Sequence, residues 1–147
     1  MRKKWLWLVI VAGLVLAADQ LSKSWVVQNL AVGQSVQPIP ALSPLFQLTR
    51  SQNTGAAFGF LPQAGDIFLI VAAVVVVAMI YFYPRIPAGA HWTQLATGLI
   101  CGGALGNALD RLEYGHVVDF IHYQIPGVIS NVSNLADHAL VLGVIIL

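Results

Sequence analysis

IFLIVAAVVVVAMIYFY, residues 67–83, is seventeen residues without a charge, bounded by Asp66 on one side and by Pro84-Arg85 on the other. A run of that length and character reads as a helix crossing lipid, because only a helix or a closed barrel satisfies every backbone group where no water can. Three further segments follow once this one is fixed. Trp92–Leu109 is eighteen residues without a charge and stops at Asp110-Arg111. Within it Gly98, Gly102 and Gly106 recur at four-residue intervals, the register in which small residues let two membrane helices approach closely.

The N-terminal segment begins Arg2-Lys3-Lys4 and continues as Trp5–Ala18, fourteen uncharged residues, up to Asp19. A basic start, an apolar middle and the small pair Ala17-Ala18 also fit a cleavable signal peptide. The helical pattern continues through Leu21 and Trp25, however, and Asp19 and Lys23 are one turn apart and able to pair. A retained helix is therefore expected. The last apolar stretch begins near Ser133, read as its N-cap, and runs to Leu147. Fifteen residues cover only about 22 Å, against a hydrocarbon core of roughly 30 Å. The C-terminal end of this span is expected to lie beyond Leu147.

Composition agrees with a membrane protein. The 147 residues are 58% hydrophobic and 9% charged, where an ordinary soluble domain has roughly 25% charged residues, and the mean hydropathy is +0.78. One domain is expected over 1–147, with spans at about 5–26, 67–83, 92–110 and 133–147. The net charge is +1 and no basic patch points to nucleic acid. The single Cys101 lies in an apolar stretch, so it reads as a packing thiol.

Between the spans lie two longer connections. The segment at about 27–65 contains Pro38, Pro40, Pro44 and Pro62, and in it Leu45–Arg50 and Ala56–Phe60 flank the turn signal Asn53-Thr54-Gly55. The segment at 112–132 is read as an outer loop or short helix. The fold class expected is a membrane α-helical protein of four transmembrane helices, with a small antiparallel β-sheet and a short loop/helix segment on the outer, periplasmic face. Arg2, Lys3, Lys4 and Arg85 mark the cytoplasmic side, which puts both termini there and Asp19, Asp66, Asp110, Glu113, Asp119 and Asp137 at the opposite face.

Ionisable groups at the hydrocarbon boundary are costly and mark functional sites. Asp119 and Asp137 are candidates for a carboxylate pair, since the end of the third span and the start of the fourth are neighbours. Two such groups sharing one proton supply an acid and a base at the same pH. Asn107, Asp110 and Arg111 occupy one helix end, and Asn134 faces the same way as Asp137. Their amides can orient a carboxylate pair, and Arg111 can hold a carbonyl or a headgroup. Taken singly, such residues are accounted for better by capping, ion pairing and interface anchoring. A metal is the competing chemistry, with His116, Asp119, His122, Asp137 and His138 as ligand types for zinc, but no HExxH helix is present. A proton-relay or transport protein is a further alternative; it expects acids spread through the membrane depth. A third is a catalytically dead lipid-peptide binding module.

Four blocks, DQLSK at 19–23, NTGAAFG at 53–59, GGALGNALDRLEYGHVVDFI at 102–121 and NLAD at 134–137, together resemble lipoprotein signal peptidase, or signal peptidase II, a bacterial aspartic endopeptidase family. The resemblance implies that Asp119 and Asp137 are the catalytic dyad, with Asp19, Lys23, Asn53, Asn107, Asp110, Arg111, Asn134 and Ala136 around them. It implies a multi-pass enzyme of the bacterial inner membrane with its active site at the outer face. That enzyme would cleave prolipoproteins just before a cysteine carrying diacylglycerol. It further implies no cofactor or metal, no nucleic acid, a monomer among membrane lipids, and inhibition by globomycin. Ser133 stands where the family usually has phenylalanine.

Overall fold

The structure, a computed structural model, describes residues 2–55 and 64–147. Within these residues lie four helices, α1 (Arg2–Asn29), α2 (Ala64–Phe82), α3 (His91–Tyr114) and α4 (Leu135–Ile146), and four strands, β1 (Ser35–Val36), β2 (Phe46–Asn53), β3 (Val117–Ile125) and β4 (Ile129–Ser133). Among the described residues, α1 and α2 are long and apolar enough to cross a membrane, while α4 is a shorter apolar helix. The central helix is α3, which packs against all three others and most extensively against α1 and α4.

The glycines decide that packing. A methyl group at Gly98 would meet Val11 at 2.6 Å and one at Gly102 would meet Val15 at 2.7 Å, both on α1. The expected small-residue face is thus the α1–α3 contact. A second glycine face was not anticipated. Gly103 lies against Ala136 and Leu140, and Gly143 against Ile100 and Ala96, which brings the short α4 onto the opposite side of α3. Where apolar burial against lipid gives no advantage, such backbone approach is what holds helices together. At its end α3 is stopped by Gly115, whose φ of 74° lets its N–H reach the Arg111 carbonyl.

The strands form one antiparallel sheet in the order β1–β2–β3–β4. Val26, on the last turn of α1, and Leu30, just after it, are buried with Val118, Phe120 and Ile121 of β3. Arg50 of β2 donates to the Val27 and Leu30 carbonyls at 3.1 and 2.8 Å, capping the same helix end.

Several boundaries differ from those read from sequence. The segment 112–132 is not a loop or helix: most of it is the β3–β4 hairpin, turned at Pro126-Gly127, where Gly127 has φ 77°. Four of its residues, Val117, Val118, Phe120 and Ile121, are apolar and buried, so the run lacks the alternation of a half-buried strand. The partners of β2 are β1 and β3; the strand expected at Ala56–Phe60 lies outside the described residues. The sheet segment expected from about residue 27 starts later, because α1 continues to Asn29. The N-cap of α4 is Asn134 rather than Ser133, which closes β4. An amide that accepts from a backbone N–H three residues on satisfies a helix start as well as a hydroxyl does.

Candidate active site

Three buried charges sit where α1 meets α3. The Lys23 ammonium lies 2.8 Å from Asp19 and 2.8 Å from Asp110, and all three side chains are at most 2% exposed. Such groups persist in a dry interior only when each is paired and hydrogen-bonded, and here each is. Asp19 also accepts from the Ala136 N–H at 2.9 Å, at the start of α4. Asp110 accepts from the Val118 N–H of β3 at 2.9 Å. Gln20 donates to Asp110 at 2.9 Å and to Asp19 at 3.2 Å. The cluster therefore fastens α4 and β3 to the α1–α3 pair. Gly106 makes room for it: a methyl there would come within 2.5 Å of Asp19 and 3.3 Å of the Ala136 methyl.

From this cluster a chain of amides leads to the two remaining aspartates. Asn107 accepts from Lys23 at 3.0 Å through Oδ1 and donates to Asp137 Oδ1 at 2.7 Å through Nδ2. An ammonium can only donate, so Lys23 fixes which end of the Asn107 amide faces Asp137. Asn134 donates to Asp119 Oδ1 at 2.7 Å and to Asn107 Oδ1 at 3.2 Å, and its own Oδ1 accepts from the Asp137 N–H at 2.9 Å. The capping residue of α4 thus grips both aspartates. The other oxygen of Asp119 accepts from Asn53 Nδ2 at 2.9 Å. Asn53 is oriented in turn by the Gly55 N–H, 2.9 Å from its Oδ1, and Gly55 has φ 75° with the Phe68 ring where a side chain would go.

The two aspartates are held differently. Asp119 is 2% exposed with both oxygens engaged. Burial pushes its carboxyl up to about 6, and the Asp137 charge acts in the same direction, while the Asn53 and Asn134 amides and the Lys23 ammonium hold it down. Asp137 is only half-buried. It lines a cavity of about 620 Å³ together with Tyr123, Val141 and Ile145, among others. Asp119 lines a second cavity of about 540 Å³ with Thr54, Gly55 and Phe68. Asn53 and Val132 border both.

Of the residues singled out from sequence, Asp19, Lys23, Asn53, Asn107, Asp110, Asp119, Asn134, Ala136 and Asp137 fall into this one network. Arg111 stands at its margin: it donates to the Asn107 carbonyl at 3.2 Å, lies 5.0 Å from the Phe68 ring centre, and its buried Nε is without a partner among the described residues. Sequence reasoning missed Gln20, although it sits inside the DQLSK block, and missed Gly103. The histidines take separate partners: His116 binds the Tyr114 carbonyl, His122 binds Gln47, Thr49 and Ser130, and His138 binds the Asn134 carbonyl. Among the described residues no three of His, Cys, Asp or Glu gather into a group that could hold a metal.

Over residues 11–147 the chain matches the family described as signal peptidase (SPase) II. Similar proteins include the lipoprotein signal peptidase of Bacillus subtilis (strain 168), 39% identical over 94% of this chain and 88% of the relative. That of Pseudomonas aeruginosa (strain UCBPP-PA14) is 39% identical over 99% of this chain and 86% of the relative. A solved bacterial membrane enzyme structure at 1.9 Å resolution is 33% identical with a TM-score of 0.82, covering 95% of this chain and 88% of that one. The chain belongs to the signal peptidase II family of aspartic peptidases.

Proposed function

We propose that this protein removes signal peptides from diacylglyceryl-modified prolipoproteins, cutting just before the lipidated cysteine, with Asp119 and Asp137 as its catalytic dyad. The observation that carries this is the Asn107–Asn134 bridge, which positions two carboxyl groups of unequal burial beside open cavities. Asp119, raised to about 6, holds the shared proton; Asp137, facing the larger cavity, is the base.

A water between them gives its proton to Asp137 as its oxygen attacks the scissile carbonyl carbon, and Asp119 passes its proton to the carbonyl oxygen. The tetrahedral intermediate then collapses. Asp137 delivers its proton to the leaving nitrogen, the C–N bond breaks, and Asp119 recovers a proton from the intermediate's hydroxyl. The products are a free carboxyl and a free amine, and the dyad returns to its starting state. No metal enters these steps.

The topology we propose has four membrane helices, both ends cytoplasmic and the dyad at the outer face. Lys4 donates to the Pro84 and Ile86 carbonyls at 3.1 and 2.7 Å, so the start of α1 and the end of α2 share one end of the molecule. Lys3, Lys4, Arg85 and His91 cluster there, in keeping with a cytoplasmic face. A lipid-anchored substrate then keeps its acyl chains in the bilayer while its amide reaches the boundary. The decisive experiment is cleavage of a diacylglyceryl prolipoprotein by the wild type, Asp119→Asn and Asp137→Asn. Cleavage by either variant near the wild-type rate sinks the dyad.

A further inference from the structure

Among the described residues β4 is an outermost strand of the sheet, paired to β3 alone from Ile121↔Ser133 to Ile125↔Ile129. On such a strand every second residue turns its N–H and C=O away from its partner. Sheets usually blunt an open edge with charges or proline. This one reads Ile-Ser-Asn-Val-Ser, with neither.

The cavity that holds Asp137 lies along this edge. Asn131, Val132 and Ser133 all line it. Successive strand residues point to opposite faces, so a cavity lying over one face would meet alternate residues. Asn53, Tyr123, Asn131 and Ser133 share one face of the sheet by register, and Val132, from the other face, carries the cavity from that face to the edge of β4, where the free backbone groups are. Beyond Asp137 the cavity continues along α4 past Val141, Leu142 and Ile145, and Ile145 is about 12 Å from Asp137 at 1.5 Å per residue.

We infer that the free edge of β4 is the docking strand for the substrate: the peptide segment around the scissile bond pairs with it in extended form, as an added strand of the sheet. This rests on the dyad assignment above for its direction, since the pairing is what presents an amide to Asp137. A helical signal peptide has its amides locked in internal hydrogen bonds, so the bond to be cut must first be drawn out straight. The edge offers backbone donors and acceptors in return, and the apolar wall of α4 receives the hydrophobic part of the signal peptide. A second copy of the chain on this edge would use neither that wall nor Asp137, which is why a substrate peptide is the occupant.

Strand addition has a period of two, and that is the test. A synthetic diacylglyceryl lipopeptide spanning the cleavage site is N-methylated one residue at a time and each variant is cleaved by the full-length enzyme in detergent. Each lost edge hydrogen bond should raise KM by about three- to tenfold, at alternate residues, with the intervening positions near the unmodified value. A uniform or patternless response overturns the proposal. On the enzyme side, Asn131→Pro and Val132→Pro divide the two directions, since one N–H faces β3 and the other the free edge. The edge-facing variant should raise KM while keeping the wild-type unfolding temperature; unchanged KM in both overturns the proposal. So does an enzyme that is dimeric in detergent and becomes monomeric on either substitution, because a second copy then owns the edge. Should Asp137→Asn cleave normally while the N-methyl alternation persists, the dyad fails and the docking strand stands.

Discussion

Asn107 joins the buried charge cluster to Asp137: its Oδ1 takes a hydrogen bond from Lys23 at 3.0 Å while its Nδ2 gives one to the Asp137 carboxylate at 2.7 Å. Asn107→Ala should therefore leave Asp137 free to rotate out of register with Asp119. A hydrogen bond to a charged group contributes about 1.5–3 kcal/mol, so kcat/KM should fall by roughly 10- to 100-fold. Asn107→Asp should do no better, because a carboxylate cannot donate to Asp137. Steady-state cleavage of a lipidated prolipoprotein peptide checks both.

Asp119→Asn and Asp137→Asn should each lower turnover by at least the roughly 10²–10⁴-fold that general acid–base catalysis supplies. An amide keeps the shape of the side chain but cannot share the proton. Globomycin should still bind both variants, since much of such an inhibitor's contact would be apolar. Loss of binding would point to a collapsed site instead.

Asp119→Asn should also gain on the wild type in stability as pH rises through a defined window, against the pH-independent cost of turning an amide N–H toward the Asn53 or Asn134 donor. The folded-state carboxyl is raised from its ordinary value of 3.8 to about 6, so the native state holds this proton more tightly than the unfolded chain does. The resulting penalty on the wild type is absent below about pH 4, grows between about 4 and 6, and is constant above. The advantage of Asp119→Asn in thermal unfolding should follow that course. An advantage that shrinks as pH rises contradicts the assigned direction.

In the proposed mechanism the same group should set one limb of the pH–rate profile. As pH rises through about 6 in the free enzyme, Asp119 loses the proton that makes it the acid, so kcat/KM should decline with an apparent pKa belonging to the pair. Bound substrate excludes further water from Asp119, which moves the corresponding limb of kcat to higher pH.

Lys23→Met should be far more damaging to stability than its single charge suggests. It leaves Asp19 and Asp110 buried without their shared counter-ion, a loss of about 3–5 kcal/mol, read as a large fall in unfolding temperature or failure to accumulate in membranes.

Cleavage should be unaffected by a strong chelator. Loss of activity restored by added zinc would move the chemistry to His116, His122 and His138.

The apolar runs, the small-residue spacing of Gly98 and Gly102 and the one-turn spacing of Asp19 and Lys23 are local properties, and local properties survive in a bare sequence. They were enough for the helices, for a close contact on that face of α3 and for an ion pair; that α1 is the partner and that the pair is buried with Asp110 came from the tertiary structure. The hairpin at 117–133 was not legible, because β3 is buried on both faces from Val117 to Ile121 and so loses the alternation that marks a half-buried strand. Nor was the N-cap of α4, since Ser133 and Asn134 are equally good caps until β4 claims the serine. What the tertiary structure alone decided is the convergence itself. Asp119 is on a strand and Asp137 on a helix, and they share a site because Asn134 and Asn107, 27 residues apart, hydrogen-bond to each other. No spacing rule encodes such a contact; it exists only after Gly103 and Gly106 have let α4 settle against α3.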